Sequence, residues 1–504
     1  MILRYTGIFA LFFTLTALAS HYPSWLDLPP ASIHQWRQAD GAALAWNYAR
    51  HPDLWAPVVC NLFYNGDSHA VGELPLLYWL SGCISRHLDW PEYPLRWIGL
   101  VLLFFGCWAF GWILLQLTRS PLLAAVGAGL LLGAPILVYY GPGFLPDAPA
   151  FCFVLLMAAG LFKADQMQSK GWLLAATVFA TVAVLLKLSM AIGPLALVLS
   201  WLVAKKRDRW QSAPLWNSYW PLGAMLALVV LVLGFRWWVA DYNAAHHTAY
   251  FLTTTRPIWN YSWPFILETF GLVGKSGLPV YASAGLYLGS MGTLWLLIQH
   301  WKTTPLFLRH VLLLTVLGSA GYFLLWFRMF REHDYYFLCL LAIPALLLLM
   351  GFRLAVQRFS EKKLVFALGM LWLLGLGHNY YAQTKRLQLA FAPRTSENLP
   401  PDAFLPPDAL TTAGIPVSAR ILCPQDPSPN IALLALQRQG WTAYNFGDRI
   451  TADTLHKYQT TFNLTHLALR DTNLYSPFFR QFFPAKICEI QGWYLYQQEN
   501  PNGK

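Results

Sequence analysis

About eleven apolar stretches near membrane-spanning length run through the first three quarters of the chain, at about 5–20, 97–117, 121–139, 148–163, 171–186, 189–203, 219–240, 281–299, 311–327, 335–352 and 364–379. The two between 171 and 203 are short and divide at Lys187. Cations fall in short runs between the stretches: Arg119, Lys163 with Lys170, Lys205 through Arg209, Lys302 with Arg309, and Arg353 through Lys363. One threading puts all of these runs on the same side, which the positive-inside rule makes the cytoplasm. A miscount of one span would reverse half of them. The N-terminus is therefore expected inside and the C-terminus outside. Met1 to Ser20 ends like a signal-peptidase site, but Arg4 is its only side-chain charge, so an uncleaved first span is favoured.

Two polar intervals are too long to be connectors. The first, residues 21–96, is an outer loop with its own structure. Ser32 suits an N-cap, residues 33–49 hold no proline, and Pro52 stops what reads as an interfacial helix. On it Arg37, Asp40, Leu44 and Asn47 share one side. Gly72-Glu73-Leu74-Pro75 then opens a second interfacial helix. The second interval begins near 380 and is rich in Pro, Asp, Thr, Asn and Gln. Strands are expected at 420–423, 441–446 and 466–470, a helix from Ser428 to Gln437, and a closing hairpin over 487–497. The expected fold is a polytopic α-helical membrane protein over residues 1–380. A small extracytoplasmic α/β domain over 381–504 completes it.

Composition agrees with a membrane protein: 56% of the 504 residues are hydrophobic and only 12% charged, about half the charge of a soluble chain. The net charge of +11 is scattered in loops between spans, which excludes a nucleic-acid face. The cysteines are too dispersed for a disulfide scaffold, although Cys423 and Cys488 in the tail are a pair to test. No Cys/His metal spacing and no nucleotide-binding glycine motif occurs.

The remaining ionisable residues converge on the outer face: Asp40 and Glu73, Asp147 in the turn 140–147, Lys187, and Arg331, His333 and Tyr335 in the late turn. Each has an ordinary reading. Arg37 and Asp40 can be a surface pair, Glu73 a helix-start acid, Asp147 an N-cap, Lys187 a snorkelling lysine, Arg331 and His333 ordinary turn residues, and Tyr335 and Tyr336 an aromatic-belt pair. Five loops meeting on one face make a site the better account, because ionisable groups at membrane depth are costly. Cations suit a lipid phosphate, and a carboxylate suits proton transfer to or from a hydroxyl. Together they fit group transfer from a lipid-linked phosphate carrier, with Asp40 as the acid/base group.

The order of these segments resembles the GT-C superfamily of polyprenyl-phosphate-sugar glycosyltransferases, near the protein O-mannosyltransferases and lipid A aminoarabinose transferases. The likeness is carried by Trp36 through Asn47, Glu73 through Tyr78, Pro146-Asp147-Ala148-Pro149, Lys187, and His333 through Tyr336, and it covers about 1–380. It implies an inverting transferase outside the cytoplasmic (inner) membrane, using an undecaprenyl or dolichyl phosphate-linked sugar and an unidentified protein, lipid or glycan acceptor. No cofactor is obligatory, a divalent cation is allowed, and no metal ligands are assigned. By the resemblance Asp40 is the base or the carboxylate that orients the acceptor, and Asp147 the second acid. Lys187, Arg331, His333 and Tyr335 hold the donor phosphate, and Glu73 orients the acceptor or the second interfacial helix. The chain departs from the family in lacking an adjacent Asp-Glu pair in the first loop. It also has Glu73-Leu74 where relatives carry a Lys or His, which opens a role for Arg37. The rival readings are a lipid-linked sugar translocator or transporter, which calls for inverted repeats that are not evident, and a scaffold of the same fold without catalysis.

Overall fold

The computed structural model describes residues 1–88, 93–206, 214–251, 254–391, 398–447 and 449–498. Arg207 to Arg209 of the basic run lie outside them. The chain forms two compact units: Met1–Leu26, Arg96–Trp238 and Thr253–Lys385 make the first, and Asp27–Leu95, Val239–Leu252 and Arg386–Lys504 the second. The tail thus shares its unit with the first outer loop and with the segment around 240–250.

The first unit is helical. Among the described residues seven helices are long and apolar enough to cross a membrane: Ile2–Ala19, Pro94–Thr118, Asp147–Met167, Trp220–Ala245, Leu306–Leu325, Asp334–Ala355 and Glu361–Ala390. A bent pair, Trp263–Tyr281 with Ala284–Gln299, makes an eighth, and Pro121–Leu132, Lys170–Leu186 and Leu188–Val203 are shorter apolar helices. All the apolar stretches in the sequence fall on these elements. The protein is a multi-pass membrane protein.

Two expectations need correction. The stretch 121–139 is broken, because Ala134 before Pro135 is extended and the helix restarts as Pro135–Tyr140. The carbonyls exposed at the break are satisfied by side chains: Asn379 donates to Gly133 at 2.8 Å and Gln383 to Pro135 at 2.9 Å. The loop expected over 241–280 also contains helix, from Trp263 onward, and the chain turns 95° before Ala284. Glu268 and Lys275 dilute the apolar pattern there, which hides the helix from a hydropathy reading. Ser283 caps the second arm, accepting from Leu286 N at 3.3 Å. Small residues let the helices close up: a Cβ on Gly285 would sit 1.9 Å from the Leu371 carbonyl oxygen.

The second unit is built on a five-stranded sheet: β1 Arg420–Cys423, β2 Gln439–Thr442, β3 Leu464–Leu469, β4 Ala485–Ile490 and β5 Trp493–Gln497, in the order β2-β1-β3-β5-β4. β1 runs parallel to β2 and β3, and β3–β5–β4 are antiparallel. The expected helix after Ser428 is a short one, Ile431–Ala435. Trp441, fully buried against Tyr458, Leu455 and Leu467, centres the core. The outer loop extends this sheet past β2: Gly440 N donates to Cys60 O at 3.1 Å, and Leu62 N to Gly440 O at 2.9 Å. Glycine is required at 440, where a Cβ would lie 1.8 Å from the Ile421 carbonyl oxygen. Cys423 and Cys488 are free. They sit on β1 and β4 with two strands between them, about 14 Å of sheet, whereas a disulfide needs Cα atoms within about 7 Å.

Candidate functional site

The first interfacial helix is Gln35–Tyr48. Ser32 does not cap it. His34 takes a left-handed conformation at the N-cap, and the Ser32 hydroxyl donates instead to the Arg386 carbonyl at 2.8 Å. The helix turns Asp40 inward, leaving it only 2% exposed, so Asp40 is not half of a surface ion pair. Its Oδ1 accepts from the Tyr250 hydroxyl at 2.6 Å and from Asn430 Nδ2 at 2.9 Å. Arg37 Nη1 stands off at 3.8 Å from Oδ2. The nearer partner of Arg37 is Glu73, to which its Nη2 donates, while the Tyr78 hydroxyl donates to the same Glu73 oxygen at 2.9 Å.

The donors to Asp40 are themselves held. Trp36 Nε1 donates to the Tyr250 oxygen at 2.9 Å. Asn430 Oδ1 accepts from the backbone N–H groups of Cys60 and Asn61 at 3.1 and 3.0 Å, which fixes its amide so that the NH2 faces Asp40. Burial dominates the electrostatics. It pushes the Asp40 carboxyl up; Arg37 and the bonds from Tyr250 and Asn430 pull it partly back, Glu73 adds to the rise, and the pKa settles at about 6. Burial and the charge of Asp40 also push the Tyr250 hydroxyl well up, so it remains a donor across the working range. This is a carboxylate poised near neutrality with its direct donors uncharged, an arrangement suited to taking and returning a proton.

In the first unit the structure gathers Asp147, Lys187, His333 and Tyr335. Asp147 opens the helix Asp147–Met167 without capping it, is 1% exposed, and pairs with Lys187 Nζ at 2.8 Å. Lys187 lies in the extended residue between two helices, φ −154°, and does not snorkel along a continuous one. Its ammonium lies over the rings of Tyr335 and Tyr336, 5.2 and 4.9 Å from their centroids. His333 stacks on Tyr335 at 5.2 Å. Tyr140, at the end of its own helix, donates to Asp334 beside them. Arg331 turns elsewhere, to Glu268 at 2.7 Å.

Sequence reasoning missed Tyr250, Asn430 and Tyr78. The first two reach Asp40 across 210 and 390 residues of chain. The weak available signals were a polar Asn opening a short apolar helix in the tail and an aromatic run after the span ending near 245.

The fold has known relatives. Over 98% of its length the chain superposes on ArnT from Cupriavidus metallidurans bound to undecaprenyl phosphate, covering 99% of that chain with a TM-score of 0.61 at 12% identity. It has the fold of the GT-C membrane glycosyltransferases. The same ArnT in the apo state superposes with a TM-score of 0.59 at 12% identity, covering 98% of both chains. An Archaeoglobus fulgidus oligosaccharyltransferase, tethered to an acceptor peptide containing the NVT sequon, gives 0.52 at 10% identity, over 92% of this chain and 69% of that one. The family model for dolichyl-phosphate-mannose-protein mannosyltransferase matches residues 73–238 of this chain. No curated protein sequence matches it.

Proposed function

We propose that this GT-C protein transfers a sugar from a polyprenyl-phosphate-linked donor to an extracytoplasmic acceptor, with inversion, using Asp40 as the base. The observation that carries the proposal is Asp40 itself: 2% exposed, held by two uncharged donors, with a pKa of about 6. The reaction is a single displacement. Asp40 accepts the proton of the acceptor hydroxyl or amine as that atom bonds to the anomeric carbon. The anomeric C–O bond breaks, and its electron pair leaves with the lipid phosphate. Arg37, tied to Glu73, orients the acceptor.

The donor phosphate is assigned to the first unit, where Lys187 lies over Tyr335 with His333 stacked beside it. Arg331, expected as a second cation, turns to Glu268 instead, and Asp147 holds the Lys187 ammonium in place. The undecaprenyl phosphate in the structurally similar ArnT supports a polyprenyl lipid as the donor's carrier. The charge placement of the loops supports a cytoplasmic-membrane location with the chemistry on the outer side.

The test is sugar transfer in membranes supplied with a mixed pool of radiolabelled undecaprenyl-phosphate sugars. Wild type is expected to consume one donor, and Asp40→Asn to bind that donor without consuming it. Binding without consumption by both proteins would overturn the enzyme reading in favour of a translocator or scaffold.

A further inference from the structure

Three residues that play no part in this chemistry form a second constellation. Asp67 and His69 lie in the outer loop, and His246 follows the helix Trp220–Ala245, 179 residues after Asp67. One ligand atom from each lies within 4.8 Å of the others. The two imidazoles stack, centroids 4.1 Å apart and planes 20° off parallel, and both aim Nδ1 at the same carboxylate. His69 Nδ1 meets Asp67 Oδ1, and His246 Nδ1 meets Oδ2 at 2.7 Å.

We propose that Asp67, His69 and His246 bind one divalent transition-metal ion, zinc by ligand preference, which clasps the outer loop to the segment 239–252. Two imidazole nitrogens and one carboxylate are a zinc donor set, whereas calcium and magnesium seek a shell of oxygens. The side chains are 28–33% exposed, which leaves room for a water in the fourth position. Bonds of about 2.0–2.2 Å to one tetrahedral ion set neighbouring ligand atoms about 3.3 Å apart, so the His246 Nδ1–Asp67 contact of 2.7 Å opens by only a fraction of an ångström to admit it.

The backbone that presents the ligands is set independently of any ion. Gly66 takes φ +77°, and a Cβ there would also strike the Phe462 ring. Val59 N donates to Ser68 O at 2.9 Å and pairs the loop with itself. Asn243 then grips the backbone of Val71, receiving from its N–H at 3.0 Å and donating to its carbonyl at 2.8 Å. Asn65 Nδ2 donates to the His246 carbonyl at 3.1 Å. The loop and the segment are therefore held face to face before the ligands meet, as a pre-organised metal site requires. The clasp closes four residues from both Glu73 and Tyr250, counted from His69 and His246, so its structural effect reaches the surroundings of Asp40.

The experiment uses the purified full-length protein in detergent, stripped with EDTA, equilibrated with zinc chloride and desalted. Elemental analysis is expected to find about one zinc per chain, and thermal unfolding to shift upward with zinc. His69→Ala/His246→Ala should lose both effects. Should that variant fail to fold, Asp67→Asn and His246→Gln replace it, and cobalt(II) provides a second readout. Wild type should then show the visible d–d bands of tetrahedral cobalt, and the variants should not. Background zinc in wild type, or equal zinc in wild type and variants, overturns the proposal and leaves a hydrogen-bonded His–Asp–His cluster.

Discussion

Asp40 and Asp147 are equally withdrawn from solvent, 2% and 1% exposed, yet the two regions satisfy them by opposite means. Asp147 has an ammonium at 2.8 Å. Asp40 has a phenol and an amide, with its guanidinium 3.8 Å away and committed to Glu73. A buried carboxylate fixed by a cation is an electrostatic anchor, and moving a proton onto it breaks the pair. A buried carboxylate fixed by neutral donors keeps both protonation states within reach. With a pKa of about 6, Asp40 lies within roughly 1.4 kcal/mol of half-protonation at neutral pH. On the proposed function Asp40 is the group that handles a proton and Asp147 the group that holds charge.

The largest effect expected is that of Asp40→Asn, which keeps the shape and removes the base. Transfer should fall by about 10²–10⁴-fold with donor binding retained, measured as sugar transfer against lipid binding in the same membranes. A variant that loses donor binding as well would place Asp40 among the anchors and erase the contrast.

The anchor has its own signature. Lys187→Met leaves Asp147 buried without its cation, and should cost about 3–5 kcal/mol of stability in thermal or denaturant unfolding. Asp147→Asn/Lys187→Met should recover most of that stability while donor affinity stays low. The double-mutant cycle isolates the pair because the two atoms are in contact. Near-zero coupling between the two sites would show that the pair is not an electrostatic unit.

The helical frame of this molecule was legible because lipid imposes it: every apolar stretch became helix, and the break at Lys187 was marked by the charge itself. The bend before Ala284 and the break at Pro135 were less visible, since side chains distant in sequence, such as Asn379, satisfy the backbone that a local reading leaves open. The acids and cations of the site were legible for a similar reason, as charges are conspicuous in an apolar sequence. The uncharged members were not. Tyr250 and Asn430 are ordinary residues until the tail's sheet recruits residues 60–62 as an extra edge and turns the Asn430 amide toward Asp40. The proposed zinc clasp was invisible on the same ground, because its ligands come from both sides of six intervening apolar stretches and share no spacing motif.

A proton-handling Asp40 also predicts a pH profile. The base must be ionised, so kcat/KM should rise with pH through an inflection near 6. Tyr250→Phe removes a donor to the ionised form and should move that inflection upward by about one unit. Stability follows the opposite course. The folded carboxyl holds its proton to a higher pH than an unfolded aspartate, whose pKa is about 3.9. Wild type therefore loses stability relative to Asp40→Asn as pH rises from about 4 to about 6, and the difference is constant outside that window. A kcat/KM profile whose inflection stays in place in Tyr250→Phe would assign the titration to another group.

The smallest effect expected has the opposite sign. Glu73 raises the Asp40 carboxyl through like charge, and it also holds Arg37 away. Glu73→Gln removes the repulsion and frees the Arg37 guanidinium to close on Asp40, so the inflection should move down by a few tenths of a unit to one unit. Opposite displacements in Tyr250→Phe and Glu73→Gln, read from one set of kcat/KM profiles, identify the titrating group as the one lying between both residues, which is Asp40. Displacements of the same sign would instead mean that the two substitutions act by loosening the loop, since loosening admits water and lowers a buried carboxyl whichever side is disturbed.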